Sequence, residues 1–140
     1  MNSNIVLVST EASIMEDPFT AEFQGTHIHI NYPPGFVITP EAVENVWGMF
    51  AKFCDKYNCR KVLVEISNMK SQLDTMDTFE SARQLSQVEP PMSVAFCLYD
   101  YQLDDLTTFF KTVTENRGVK VNFFSNTVEA KEWLSLDAIG

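Results

Sequence analysis

Glycine is scarce in this chain, and its five residues are scattered. That excludes a glycine-rich phosphate cradle, and neither a G-x-S-x-G nucleophile elbow nor an H-E-x-x-H zinc helix occurs. Histidine is scarcer still, with only His27 and His29. They stand two apart in one alternating run and could begin a metal site. No third ligand accompanies them, so they read as ordinary, partly exposed strand residues. The three cysteines, Cys54, Cys59 and Cys97, are odd in number and lack C-x-x-C spacing, which argues against a zinc site or a disulfide framework. Cys54 falls on an apolar helix face and Cys97 inside a strand pattern, and both are expected as buried thiols.

Basic residues are also few, 10 against 19 acidic ones, for a formal net charge of −9. Arg60-Lys61 is the only adjacent basic pair, so DNA, RNA and anionic lipid surfaces are repelled and no nucleic-acid partner is expected. No apolar run approaches the roughly 20 residues of a membrane span, and no basic-then-apolar start resembles a signal sequence. The expectation is a soluble cytoplasmic protein with no membrane span, no metal and no cofactor. Carboxylate neighbours such as Asp104-Asp105 face different ways on a helix, and two histidines on one strand do not serve a triad. No catalytic residue is assigned, and the chain is expected not to be an enzyme.

What remains is ample for a core: 140 residues, 45% of them apolar and 21% charged, the profile of one globular domain filling residues 1–140. Its centre is the run from Lys61 to Ser67, where Val62, Leu63, Val64 and Ile66 are apolar almost without interruption. Such a run reads as a strand buried on both faces, central in a parallel sheet. Before it, Ile5 to Val8 suggest a strand over Asn4–Thr10, followed by an acidic connector from Glu11 to Pro18. Phe19, Ala21 and Phe23, then Ile28, Ile30 and Tyr32, alternate about Gln24-Gly25 as a hairpin. Thr39-Pro40-Glu41 starts a helix, with Thr as N-cap and Pro at the first position. Val43, Val46, Trp47, Phe50, Phe53, Cys54 and Tyr57 give it a broad apolar face, and Asn58 can end it in the left-handed conformation.

After the central strand, a polar loop from Ser67 to Asp74 leads into a helix beginning near Thr75. Asp74 and Asp77 sit at its N-cap and N3 positions. Met76, Phe79, Ala82 and Leu85 or Val88 are expected on its buried side, and Pro90-Pro91 stops it. Met92 to Leu98 is another strand. Leu106, Phe109, Phe110 and Val113 mark a third helix, ended by Arg117-Gly118. Val119 to Phe124 is the last strand, and a fourth helix from Asn126, with Glu129 completing a capping box, buries Val128, Ala130, Trp133 and Leu134. The alternation from residue 39 onward requires parallel strands joined by crossovers. The fold class is a single-domain, mostly parallel mixed α/β sheet with an N-terminal antiparallel hairpin and about four helices.

This order resembles the STAS domain family, including its SpoIIAA-like branch of anti-sigma-factor antagonists. Two stretches carry the resemblance: V-L-V-E-I-S at 62–67, with Glu65 in the family's acidic place, and F-S-N-T-V-E-A-K-E-W-L at 124–134. Family members that work as phosphorylation switches carry Asp-Ser, often followed by Ser or Thr and Gly, where the second helix starts. The nearest counterpart here is Asp74-Thr75-Met76-Asp77, reached by a one-residue insertion after Glu65, with an acid in place of the glycine. The resemblance implies a non-enzymatic regulatory module that binds a protein partner through Ser67, Asn68, Met69, Lys70, Ser71, Leu73, Asp74 and Thr75. Thr75 and Ser71 are the residues open to phosphorylation, with or without a working switch. The alternative is a carrier of a small apolar or lipid-like ligand, because STAS-like folds resemble the CRAL-TRIO fold, and 11 Phe, six Met and two Trp could line a pocket.

Overall fold

The computed structural model describes residues 18–137. The expected strand over Asn4–Thr10 and nearly all of the acidic connector lie outside them. The hairpin forms as β1 (Thr20–Phe23) and β2 (Ile28–Asn31), paired antiparallel with Ala21 opposite Ile30. Three further strands continue the sheet in parallel: β4 (Lys61–Ser67), β6 (Ser93–Tyr99) and β7 (Lys120–Phe124). The sheet order is β1-β2-β4-β6-β7, so the apolar run at 61–67 is the middle strand. Two short strands, β3 (Val37–Ile38) and β5 (Lys70–Ser71), pair parallel as a separate two-stranded sheet.

The helices are a single turn, α1 (Pro40–Val43), then α2 (Val46–Tyr57), α3 (Thr75–Ser86), α4 (Asp105–Asn116) and α5 (Thr127–Asp137). The one long helix expected from Thr39 is interrupted at Glu44 and Asn45. Asn45 is the N-cap residue of α2 without a side-chain capping bond, and asparagine favours helix ends over interiors. The capping residues read from the sequence otherwise perform as expected. Thr39 accepts from the amide of Ala42, Asp74 and Asp77 form a reciprocal capping box, and Asn58 ends α2 at φ 52°. Asn126 accepts from the amide of Glu129 at 2.9 Å, one of the two bonds of the expected capping box.

Because the parallel strands follow one another in one direction, the crossovers deliver α2, α3 and α4 to the same face of the sheet. On that face Ile28, Ile30, Val62, Val64, Ile66, Val94 and Val121 pack with Val46, Trp47, Phe50, Phe53 and Leu85 into the main core. The other face holds a smaller core in which Leu63, Ala95 and Cys97 meet Ala130 and Leu134 of α5. Four expected burials fail, among them Phe79, which is only half-buried on α3. Met76 is 71% exposed and Val128 66%, since each stands in the first turn of its helix, while the buried positions of those helices begin at Thr78 and Ala130. Trp133 is only half-buried, packed against Phe124 with ring centroids 5.9 Å apart.

Candidate functional site

The helix-bearing face of the sheet does not close at its carboxyl edge. A cavity of about 180 Å³ lies there, where ligands bind most often in open α/β sheets. Its floor is the sheet, from Val64 and Ile66 of β4, Phe96 and Leu98 of β6 and Phe123 of β7. Trp47 and Phe50 of α2 form one wall, and Leu106 and Phe110 of α4 another. The local sequence explains the space. Toward this interior α3 offers Thr78 and Ser81, both buried, where a leucine would have filled the gap. Small side chains facing branched ones leave a void that the surrounding close packing does not erase.

The residues between β4 and α3 make the rim. Asn68, at φ 53°, turns the chain in the left-handed region that asparagine tolerates, and its amide donates to the Tyr99 carbonyl at 2.9 Å. The amide of Lys70 donates to the Phe36 carbonyl at 3.1 Å and that of Gln72 to the Ile38 carbonyl at 2.8 Å, which ties the loop to β3. Of the loop residues singled out from the sequence, Met69, Ser71 and Leu73 line the cavity. Ser67 is half-buried on the opposite sheet face, in register with Tyr99. Asn68, Lys70, Asp74 and Thr75 are exposed to solvent and are not part of the cavity wall. The two apolar side chains in this polar loop, Met69 and Leu73, were the readable sign of a lined hollow.

Polar groups at the cavity are mostly committed to the protein. The Trp47 indole donates to Ser81 Oγ at 3.0 Å, and the Thr78 hydroxyl donates to the Asp74 carbonyl at 2.8 Å. Asp104 caps α4, accepting from the Thr107 amide at 2.9 Å and the Thr107 hydroxyl at 2.8 Å, with the Tyr101 hydroxyl 3.4 Å from its second oxygen. The bond from the Thr107 amide is the main cause holding the Asp104 carboxyl below its ordinary value, with the two hydroxyls adding to it. Asp104 is therefore an anion at neutral pH, and it is the one charged residue lining the cavity among the described residues.

Comparison with protein-family models, curated proteins and solved structures gives no match. Function has to be read from the geometry itself.

A second group of polar residues lies on the α5 face of the sheet. His29 Nε2 bonds Glu65 Oε1, and the Tyr99 hydroxyl donates to Glu65 Oε2 at 2.5 Å, so one carboxylate joins three adjacent strands. Burial chiefly, and then the Glu65 carboxylate, raises the Tyr99 phenol well above its ordinary value. Beside it His27 is 5% exposed, correcting the expectation of a partly exposed residue. Its Nδ1 lies 3.0 Å from Thr26 Oγ1, and its Nε2 has no partner among the described residues. Desolvation, then His29 and Lys131, lowers its pKa from the ordinary 6.5.

The Cys54 and Cys97 thiols are buried as expected and pushed up by that burial, to about 11 and about 12, so neither is a thiolate nucleophile at neutral pH. No group of three or more metal-ligating side chains occurs among the described residues. Residue spacing along the chain does not bring His29, Glu65 and Tyr99 together. The available signal was Glu65 itself, an acid in a central strand, which needs partners from its neighbours when it is half-buried.

Proposed function

We propose that the chain is a non-enzymatic module that binds a compact, largely apolar small molecule in the cavity at the carboxyl edge of the sheet. The observation that carries this reading is the cavity itself, about 180 Å³, walled by Val, Ile, Leu, Phe and Trp. A dry apolar cavity of about 150 Å³ accepts a benzene-sized molecule, so a ligand on the order of ten heavy atoms fits this one. A non-enzymatic role is supported by the lining, which contains neither histidine nor cysteine among the described residues, and whose Thr78 and Thr107 hydroxyls are held by their own helices. The order of elements supports the resemblance to the STAS family. A cytoplasmic place is supported by three free cysteines and by the absence, among the described residues, of a helix long and apolar enough to cross a membrane.

The test uses Trp47 as reporter, in a Trp133→Phe background. Titration with 1-hexanol should shift its emission saturably. Val43→Phe and Leu73→Phe, which add bulk at the cavity mouth, should weaken that binding at least about tenfold. Equal binding in all three proteins would overturn the reading.

A regulatory role through a protein partner has its own support in the exposed run Asp74, Thr75 and Met76 at the start of α3, with Met76 at 71% exposure. In that reading the Ser67–Thr75 loop and α3 form the contact surface, and a phosphate at Thr75 meets Asp74 and Asp77 and weakens docking to an acidic partner surface. Pull-downs with Thr75→Glu and Met69→Asp should recover less of a specific partner than wild type does. Unchanged recovery in both removes this loop as the interface.

A further inference from the structure

We infer that the cavity selects ligands whose polar end is neutral or cationic and rejects anionic ones, with Asp104 as the residue that sets this preference. The inference rests on the binding reading above and adds the chemical class of the ligand. The cavity body is apolar, so a bound molecule points its polar end toward the linked polar group Tyr101, Asp104 and Thr107 in the lining. Asp104 is exposed, which puts that end at the solvent side. A carboxylate or phosphate there would face the Asp104 carboxylate, whereas an ammonium or hydroxyl finds an acceptor.

Helix N-termini would ordinarily attract an anion to such a place. In α3 and α4 that capacity is filled from within, while α2, which begins beside the cavity at Val46, has no side-chain cap. In α3 the amides of Asp77 and Asp74 are bonded by the side chains of Asp74 and Asp77, and in α4 the Thr107 amide is bonded by Asp104. A second surface groove shares Val43 and Ser81 with the cavity and is lined by Glu41, Glu44, Asp77 and Glu80, so the surrounding field is negative as well. No lysine or arginine lines either hollow among the described residues. Near a surface, solvent and salt reduce a like-charge contact to a modest effect, which here means discrimination of about tenfold.

The experiment titrates Trp47 emission at pH 7 and low salt with three ligands of matched length, hexylammonium, 1-hexanol and hexanoate. Wild type should bind hexylammonium and 1-hexanol, and hexanoate about tenfold or more weakly than 1-hexanol. Asp104→Asn keeps a good N-cap and should fold; in it the hexanoate and hexylammonium affinities should converge on that of 1-hexanol. Asp105→Asn removes the same charge one residue away, off the cavity wall, and should leave the wild-type ranking intact. Hexanoate binding as tightly as 1-hexanol in wild type would overturn the inference while leaving the pocket reading standing. An unchanged ranking in Asp104→Asn, or the same change in Asp105→Asn, would remove Asp104 from the role. Failure of all three ligands to move Trp47 emission would sink the binding reading itself.

Discussion

The indole N–H of Trp47 on α2 donates to the hydroxyl oxygen of Ser81 on α3 across 3.0 Å of buried interior. This bond holds the indole in the cavity wall. Ser81→Ala leaves a buried donor unpaired and should cost about 1–3 kcal/mol. Trp47→Ala removes the ring itself, which is 6% exposed, and should cost about 3–5 kcal/mol. Urea denaturation checks both. A wild-type midpoint for Ser81→Ala would mean that the bond contributes nothing, and a solvent-exposed emission maximum from Trp47 would contradict its burial.

His27 makes stability depend on pH in a defined direction. Its folded pKa lies below the ordinary 6.5, with desolvation the largest cause, so protonation favours the unfolded chain. Its contribution is full above pH 6.5, is lost as the pH falls from 6.5 through the lowered folded value, and changes no further below it. His27→Leu should flatten that part of the profile; at pH 7.5 it removes the unpartnered Nε2 but also the Nδ1 contact with Thr26. Urea midpoints measured for both proteins between about pH 7.5 and 5 should differ in slope; parallel profiles would contradict the assignment.

Tyr99 should stay protonated when ordinary phenols have ionised. Burial first, and then the bond to Glu65 and its charge, raise it above the ordinary 10.0. Followed by absorbance at alkaline pH, wild type and Tyr99→Phe should ionise the same number of tyrosines by about pH 11. One fewer in the variant would show that Tyr99 titrates normally. Glu65→Gln should lower Tyr99 only in part, because burial, the larger cause, remains.

Much of the fold is legible in the sequence because its signals are local. Val62, Leu63, Val64 and Ile66 declare a central strand by an apolar run that only Glu65 interrupts, and Thr39, Asp74 and Asn126 mark helix starts by the acceptors their side chains supply. Where the outcome depends on what lies opposite, the local signal stops short. Helical periodicity placed Met76 and Val128 on apolar stripes, yet the first turn of each helix has nothing packed over it. Val37–Ile38 and Lys70–Ser71 are too short to show a period, and only their pairing makes them strands. Of the site, Met69 and Leu73 could be noticed as apolar residues in a polar loop. The hollow they border follows from Thr78 and Ser81 being small where α3 meets the sheet, a fact of packing between distant segments. The His29–Glu65–Tyr99 group likewise depends on the alignment of three strands.

The most direct measurement of the central claim is a two-dimensional amide spectrum of the labelled protein as 1-hexanol is added. Saturable shifts should concentrate at the Trp47 indole N–H and at the amides of Val64, Ile66, Leu98 and Thr107, all around the cavity. His29, Glu65 and Leu134, on the opposite face of the sheet, should stay in place. Shifts scattered over both faces, or a spectrum unchanged up to the solubility of the alcohol, would contradict a ligand site at the carboxyl edge.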